Sequence, residues 1–173
     1  MICPALAADQ PPAVGDSLPP IKLAVPDDPQ AKSHLGLSGS GQFTIPQIEA
    51  QVVIIEIFNM YWPFCQKEAF RVNELYGAIQ SNKDLKNKIK LIGIGSGNSD
   101  FEVNFFRKKY EVPFPLFSDE DYSIHKTLGE VRTPYFIGVR LKSDGSSEVF
   151  YSKLGGFKDA NKFLKMMVEL SGL

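Results

Sequence analysis

The residues with the clearest chemical potential stand together at the start of a predicted helix. Cys65 closes the stretch Trp62-Pro63-Phe64-Cys65, which comes shortly after the apolar run VVIIEIF. Proline suits the first position of a helix, so Cys65 is predicted in the first helical turn. A helix N-terminus lowers the pKa of a thiol, and the thiolate is the form that attacks disulfides. The stretch therefore indicates thiol chemistry.

An acidic residue, Glu56, lies inside the apolar run that precedes this stretch. Burying a carboxylate costs free energy unless the group is protonated or paired. Two interpretations stay open: Glu56 is a buried acid that serves the thiol, or it lies at a strand end and reaches solvent.

Composition describes an ordinary globular protein and excludes several functions. The chain has 173 residues, 43% hydrophobic and 23% charged, with a net charge of −1. We expect one domain that buries roughly 70% of its unfolded surface. The chain has no excess of basic residues that would indicate nucleic-acid binding. Its apolar runs are far shorter than the ~20 residues that span a bilayer. No Cys or His pair has metal-ligand spacing, so neither a metal nor a cofactor is expected.

The first residues resemble the end of a secretory signal. An Ala-Leu-Ala run at 5–7 has the small-x-small spacing of a cleavage site, and a polar, Pro-rich segment follows it. We interpret 1–8 as the end of a signal peptide, which predicts a periplasmic or otherwise exported protein. The alternative is an ordinary terminus with this run by chance. Cleavage would remove Cys3, which could also carry a lipid, and would leave Cys65 as the single thiol.

Hydrophobic periodicity predicts the elements that position the thiol. Continuous apolar runs predict buried strands at 51–58 and 89–95, and helical spacing predicts a helix over 63–80 between them. GIGSGNS, at the end of the second run, is interpreted as a loop. IKLAV predicts an edge strand, and FTIPQIEA predicts a short strand and a helical turn.

The second half of the chain predicts three helices and a hairpin. Ser99 and Glu102 form a capping box that opens a helix, and a short helix is predicted over 122–129. Asp144-Gly145 indicates a hairpin. A closing helix over 158–171 is expected to turn four apolar side chains inward: Phe163, Leu164, Met167 and Leu170. The order β-α-β, helices, then β-β-α predicts an α/β protein whose mixed central sheet has helices on both faces.

These stretches together resemble the thioredoxin-fold redoxins, the exported thiol–disulfide proteins grouped with alkyl hydroperoxide reductase and thiol-specific antioxidant proteins. The resemblance runs from about residue 14 to the C-terminus. It rests on VVIIEIFNMYWPFCQKEA, GIGSGNSDFEVNFFRKKYEVPFPLFSD, RTPYFIGV and YSKLGGF. It implies a thioredoxin-like domain at 51–173, with an N-terminal extension at 9–50 packed on it.

The resemblance assigns roles to the residues around the thiol. The family motif would read Cys-Pro-Phe-Cys at 62–65, so Cys65 matches the second cysteine and Trp62 replaces the first, attacking one. Glu56 stands where the family keeps a buried acid that assists proton transfer. Phe70 stands where many relatives have a helix-kinking proline.

The same resemblance implies a substrate-binding edge. Thr133 and Pro134 match the residue and the cis-proline that face the active site, and Tyr61 is expected to contact the substrate with them. The implied partners are protein thiols or an extended polypeptide segment, with an external reductant if the protein is active.

Several functions stay open at this point. The protein could be a thiol–disulfide oxidoreductase that acts as a monothiol or with reduced activity, or a redox-inactive module that binds polypeptide at the cis-proline. A one-cysteine peroxidase would need a threonine in place of Trp62 and an arginine nearby, for which Arg132 is an approximate candidate. Trp62 could also be an isolated variant within an active lineage.

Overall fold

The computed structural model describes residues 10–173. The expected signal-peptide end at 1–8, with Cys3, lies outside the described residues. The elements, in chain order, are β1 (Lys22–Ala24), α1 (Pro29–His34), β2 (Gln42–Thr44), a 3₁₀ turn (Ile45–Gln47), β3 (Val52–Phe58), α2 (Pro63–Ser81), β4 (Ile89–Ser96), α3 (Asp100–Lys109), β5 (Leu116–Asp119), α4 (Ser123–Thr127), β6 (Tyr135–Leu141), β7 (Ser147–Leu154) and α5 (Ala160–Ser171).

A five-stranded mixed sheet forms the centre of the fold. Its strand order is β5-β4-β3-β6-β7. Strand β3 pairs in parallel with β4 and antiparallel with β6, and β5 and β7 form the edges. All seven residues of β3 are buried, as the continuous apolar run predicted for a strand covered on both faces. The expected α/β class and thioredoxin fold are confirmed.

Alternate residues of β3 enter two different hydrophobic clusters. Val52, Ile54 and Phe58 pack with α2, α5 and the buried side of α3. Val53, Ile55 and Ile57 pack with α4 and with apolar residues of the N-terminal segment, which are Leu18, Ile21, Leu23, Leu35, Phe43, Ile45 and Ile48. Helices therefore lie on both faces, as expected.

The N-terminal segment is joined to the central sheet by backbone hydrogen bonds. Gly15 N–H donates to the Val149 carbonyl, and Val149 N–H donates to the Asp16 carbonyl, both at 2.8 Å. Strands β1 and β2 form an antiparallel pair of their own, so IKLAV supplies a strand of a separate small sheet. None of the helices within residues 10–173 combines the length and apolarity needed to cross a membrane.

Two details differ from the sequence-based expectations. GIGSGNS is only partly a loop, because Gly93 and Gly95 belong to β4. A Cβ on Gly93 would lie 2.5 Å from a Leu116 methyl carbon, so glycine there permits the close approach of β5. Strand β5 itself was not anticipated. Leu170 is 47% exposed and does not face the core, because the buried stripe of α5 runs through Met167 to Ser171.

The two apolar residues Met167 and Leu170 provide a matched test of this helix. Met167 is fully buried, so we expect Met167→Ala to lower the free energy of unfolding by about 2–5 kcal/mol. Leu170→Ala should cost less than about 1 kcal/mol, because the side chain stays half exposed. Urea unfolding followed by circular dichroism measures both, and equal losses would contradict the assigned face.

Candidate functional site

Strand pairing brings two loops together at one end of the sheet. The β3–β6 register places Ile57 opposite Tyr135. The residues that follow β3 therefore lie beside those that precede β6, which joins the stretch 59–62 to the stretch 132–134. The Thr133–Pro134 peptide bond is cis, as the resemblance implied.

The stretch after β3 is held in place by amide side chains. Asn59 donates through Nδ2 to the Ser96 carbonyl at 2.9 Å. Met60 N–H donates to Asn98 Oδ1 at 2.9 Å, and Gln66 Nε2 donates to the Met60 carbonyl at 2.9 Å. These bonds tie the loop to β4, to the following turn and to α2. The loop is therefore a fixed platform for the residue at 62.

Tyr61 extends from this platform towards α3. Its hydroxyl donates a hydrogen bond to Glu102, whose other oxygen accepts the backbone N–H of Ser99 at the start of α3. The ring is exposed, and its expected contact with a substrate stays a prediction. Sequence reasoning identified Glu102 as a helix cap and missed its second role as the anchor of Tyr61.

Trp62 occupies the N-cap position of α2, the place to which the resemblance assigns an attacking cysteine. Its backbone is extended, and its carbonyl accepts the N–H of Gln66 at 3.1 Å. The indole is 45% exposed, and its ring centroid lies 6.0 Å from that of Phe64, which is also exposed. The exposed start of α2 therefore presents an apolar surface formed by Trp62 and Phe64.

Cys65 lies beneath this surface with no exposed area. Burial raises the pKa of its thiol to about 11, and the charges of Glu56 and Glu68 act in the same direction. Two hydrogen bonds to the thiol act in the opposite direction and lower the pKa. They come from the Asn59 N–H, 3.5 Å from Sγ, and from Thr133, and the effect of burial outweighs them. A neutral thiol is a poor nucleophile, so this position in the helix does not activate Cys65.

Glu56 is buried, with 3% of its surface exposed, and so does not reach solvent at a strand end. Desolvation, with a smaller contribution from the charge of Glu68, raises its pKa to about 8. The carboxyl group is therefore mostly protonated at neutral pH. The protonated state suits a proton donor near Cys65, and the role itself stays a prediction.

A second buried acid, Glu68, escaped the sequence analysis. One of its oxygens accepts the Phe157 N–H at 2.8 Å, and the other lies 3.5 Å from Arg71 Nη1. A Cβ on Gly156 would overlap the Glu68 carboxyl, so this glycine makes room for it. The signal was available: Glu68 follows Cys65 by three residues, on the helix face predicted to be buried.

Two clefts open on either side of Trp62, and Arg132 and Thr133 border both. One has a volume of about 330 Å³ and is here named the basic cleft. The other, of about 400 Å³, is named the aromatic cleft. The basic cleft is also lined by Phe64, Lys67, Glu68, Arg71, Pro134 and Leu154, and the aromatic cleft by Tyr61, Tyr122 and His125.

The structure therefore brings all the predicted site residues into one region. Cys65 and Glu56 form the buried part of this region, and Tyr61, Trp62 and the cis-proline edge form its surface. Lys67, Arg71, Leu154 and Tyr122 were missed, because their positions depend on tertiary packing. Within residues 10–173 no cluster of three or more His, Cys, Asp or Glu side chains is arranged to hold a metal ion.

The chain was compared with protein families and with curated proteins. The model of a family described as AhpC/TSA matches residues 14–144, more than half of the chain. No curated protein matches it.

Three similar solved structures share the fold. The thioredoxin domain of a thiol-disulfide oxidoreductase from Bacteroides vulgatus is 13% identical, with a TM-score of 0.64 over 90% of this chain and 98% of that one. AhpC of Mycobacterium tuberculosis is 14% identical, with a TM-score of 0.63 over 92% and 98%. A secreted Mycobacterium tuberculosis disulfide oxidoreductase is 17% identical, with a TM-score of 0.57 over 75% and 90%.

The burial of Cys65 predicts slow alkylation in the folded protein. With a pKa of about 11, roughly one thiol in ten thousand is ionised at pH 7, and the side chain has no exposed area. We expect iodoacetamide to modify Cys65 at least ~100-fold faster in urea than in buffer. Hydrogen peroxide should form no sulfenic acid in the folded protein. A thiol that titrates below pH 7, and that peroxide oxidises, would contradict this prediction.

The raised pKa of Glu56 predicts that the folded protein loses stability as the pH rises. An unfolded glutamate releases its proton near 4.5, whereas the folded group holds it until about 8. Between these values the folded state binds the extra proton, so stability falls by about 1.4 kcal/mol per pH unit from this group. Glu56→Gln removes that contribution.

The measurement is the difference in unfolding free energy between wild type and Glu56→Gln, taken by urea titration from pH 5 to 8. The variant should become relatively more stable as the pH rises. A difference that does not change with pH would show that Glu56 is ionised in the folded protein.

Proposed function

The chain belongs to the AhpC/TSA family, and from this membership we propose that it binds an extended polypeptide at the cis-proline edge without a two-cysteine exchange cycle. The observation that carries this proposal is Trp62 at the exposed start of α2, above a fully buried Cys65. The chain is thus a redoxin-like protein with the fold of the thiol–disulfide oxidoreductases. Its own site favours binding over exchange.

Disulfide exchange needs two steps that this site supports poorly. An accessible thiolate must attack a disulfide, and a second thiol must then resolve the mixed disulfide. Residues 10–173 contain one cysteine, and it is buried, with a pKa raised to about 11. The same features disfavour the one-cysteine peroxidase, since peroxide also reacts with a thiolate.

Binding needs a backbone segment that a partner can approach and an apolar surface, and we assign the backbone contact to Thr133 because the Pro134 carbonyl is already paired. The Pro134 carbonyl accepts the Gly155 N–H at 2.8 Å, which ties the cis-proline to the end of β7. Thr133 borders both clefts. Trp62, Phe64 and Leu154 expose large apolar areas around them, and such patches commonly mark sites of protein interaction.

Slow monothiol exchange with an external reductant is the second candidate. The Asn59 N–H points at Cys65 Sγ, and the protonated Glu56 lies close enough to influence its pKa. If local opening exposes the thiol, the Asn59 N–H stabilises the thiolate, and the protonated Glu56 can supply the proton that the leaving thiolate of the substrate takes up. This candidate requires a substrate disulfide small enough to pass Trp62.

We also propose an exported location. The Ala-Leu-Ala run at 5–7 supports this proposal. One structurally similar protein, the Mycobacterium tuberculosis disulfide oxidoreductase, is described as secreted.

The binding function is tested with the natural fluorescence of Trp62, which is the only tryptophan in the chain. The ligand is an unfolded protein, reduced and alkylated with iodoacetamide so that it has no thiol. We expect its addition to change the fluorescence of Trp62 to saturation, and Leu154→Ser to weaken binding. The same protein in its folded form is the control. No saturable change with the unfolded form would reject the proposal.

Restoring a cysteine at position 62 tests whether the rest of the exchange site is intact. We expect Trp62→Cys to form a disulfide with Cys65 in oxidising buffer and to reduce insulin with dithiothreitol as the electron source. Trp62→Ser opens the site equally without adding a thiol, so it should stay inactive. Failure of Trp62→Cys to form the disulfide would mean that position 62 does not match the first cysteine of the family motif.

A further inference from the structure

The basic cleft carries an excess of positive charge that the rest of the chain does not share. Lys67, Arg71 and Arg132 line it, whereas the whole chain has a net charge of −1. Glu68 is the single acid among its lining residues, and it is buried and occupied by the Phe157 N–H and Arg71. The opening therefore presents cations without a matching exposed acid.

Two of these cations are available to a ligand. Among residues 10–173, neither Lys67 nor Arg132 has a carboxylate partner within 4.0 Å, and both side chains are exposed. Single exposed lysines and arginines are usually solvated and carry no function. Here two of them border one cleft together with the exposed apolar side chains of Trp62, Phe64 and Leu154.

We propose that the basic cleft selects polypeptide segments in which an acidic side chain stands next to an apolar one. The proposal rests on the binding function proposed above and adds the chemistry of the partner. A carboxylate fits Arg132 and Lys67, because charge-assisted hydrogen bonds from guanidinium and ammonium groups are the strong ones. Complementary charge also suppresses the wrong partner, since a basic segment would be repelled.

The aromatic cleft explains why the side chain next to the acidic one is expected to be apolar. Adjacent side chains of an extended segment point to opposite sides. A segment that pairs at Thr133 therefore directs one side chain towards the basic cleft and the next towards the aromatic cleft. The rings of Tyr61, Trp62 and Tyr122 line that second cleft and favour an apolar or aromatic residue.

The experiment begins with selection from a random heptapeptide library against the full-length protein, followed by binding of defined peptides. Three peptides that differ only at the central residue are synthesised for the best binder, with Glu, Gln or Lys at that place. Titration of Trp62 fluorescence gives each dissociation constant. We expect the Glu peptide to bind about fivefold tighter than the Gln peptide, and the Lys peptide to bind weakest. Added salt should reduce the difference.

Matched variants locate the preference in the molecule. Arg132→Gln and Lys67→Gln should each reduce the ratio between the Glu and Gln peptides by at least about twofold. Arg132→Glu should favour the Lys peptide instead. Lys83→Gln is the control, because it removes the same charge two residues beyond the end of α2, which runs roughly 21 Å from Lys67 to Ser81, and it should leave the ratio unchanged.

The outcomes separate this inference from the function on which it rests. If the library yields no peptide that changes Trp62 fluorescence, the binding function itself fails. If peptides bind but the Glu, Gln and Lys forms bind equally, the binding function stands and the acidic preference is overturned. If the preference exists but survives Arg132→Gln and Lys67→Gln, its assignment to the basic cleft is overturned.

Discussion

Two ladders of backbone hydrogen bonds hold strand β3, one to β4 and one to β6, and the site takes its position from them. Seven consecutive buried residues leave β3 no freedom to slip, since a shift of one residue would exchange its two buried faces. The loop after β3 must then leave the sheet beside the segment that enters β6. The proximity of Trp62 to the cis-proline is therefore a consequence of strand register. No separate interaction between the two loops is required to create it.

Within this frame, the chemistry depends on which side chain stands at the first position of the motif. A helix N-terminus stabilises a thiolate only at an exposed position, and that position holds Trp62. The thiol that is present, Cys65, lies in the core, where desolvation outweighs the hydrogen bonds it receives. Glu56 and Glu68 add unfavourable charge. The exposed start of α2 would lower the pKa of a thiol, whereas the buried position of Cys65 raises it.

The sequence predicted the fold well, but it predicted less of how the residues around the thiol come together. Strands such as β3 and the register of Cys65 in α2 follow from local hydrophobic pattern, which one chain displays directly. Leu170 was assigned to the wrong face because α5 has apolar residues on more than one side. Lys67 and Arg132 were not linked, because a long-range strand pairing brings them to one cleft. Glu68 was missed because its burial depends on Phe157 and Gly156, distant residues that provide its partner and its space.

The backbone bonds between Gly15, Asp16 and Val149 have a consequence for the order of folding. They connect the beginning of the described chain to β7, its last strand, so the intervening loop is among the longest that the fold must close. During synthesis the N-terminal segment emerges first, and these two backbone bonds cannot form until β7 has left the ribosome. Topologies dominated by such distant contacts fold slowly and expose apolar surface in the meantime. The attachment of the N-terminal segment to β7 is therefore among the last contacts that the folding chain can make.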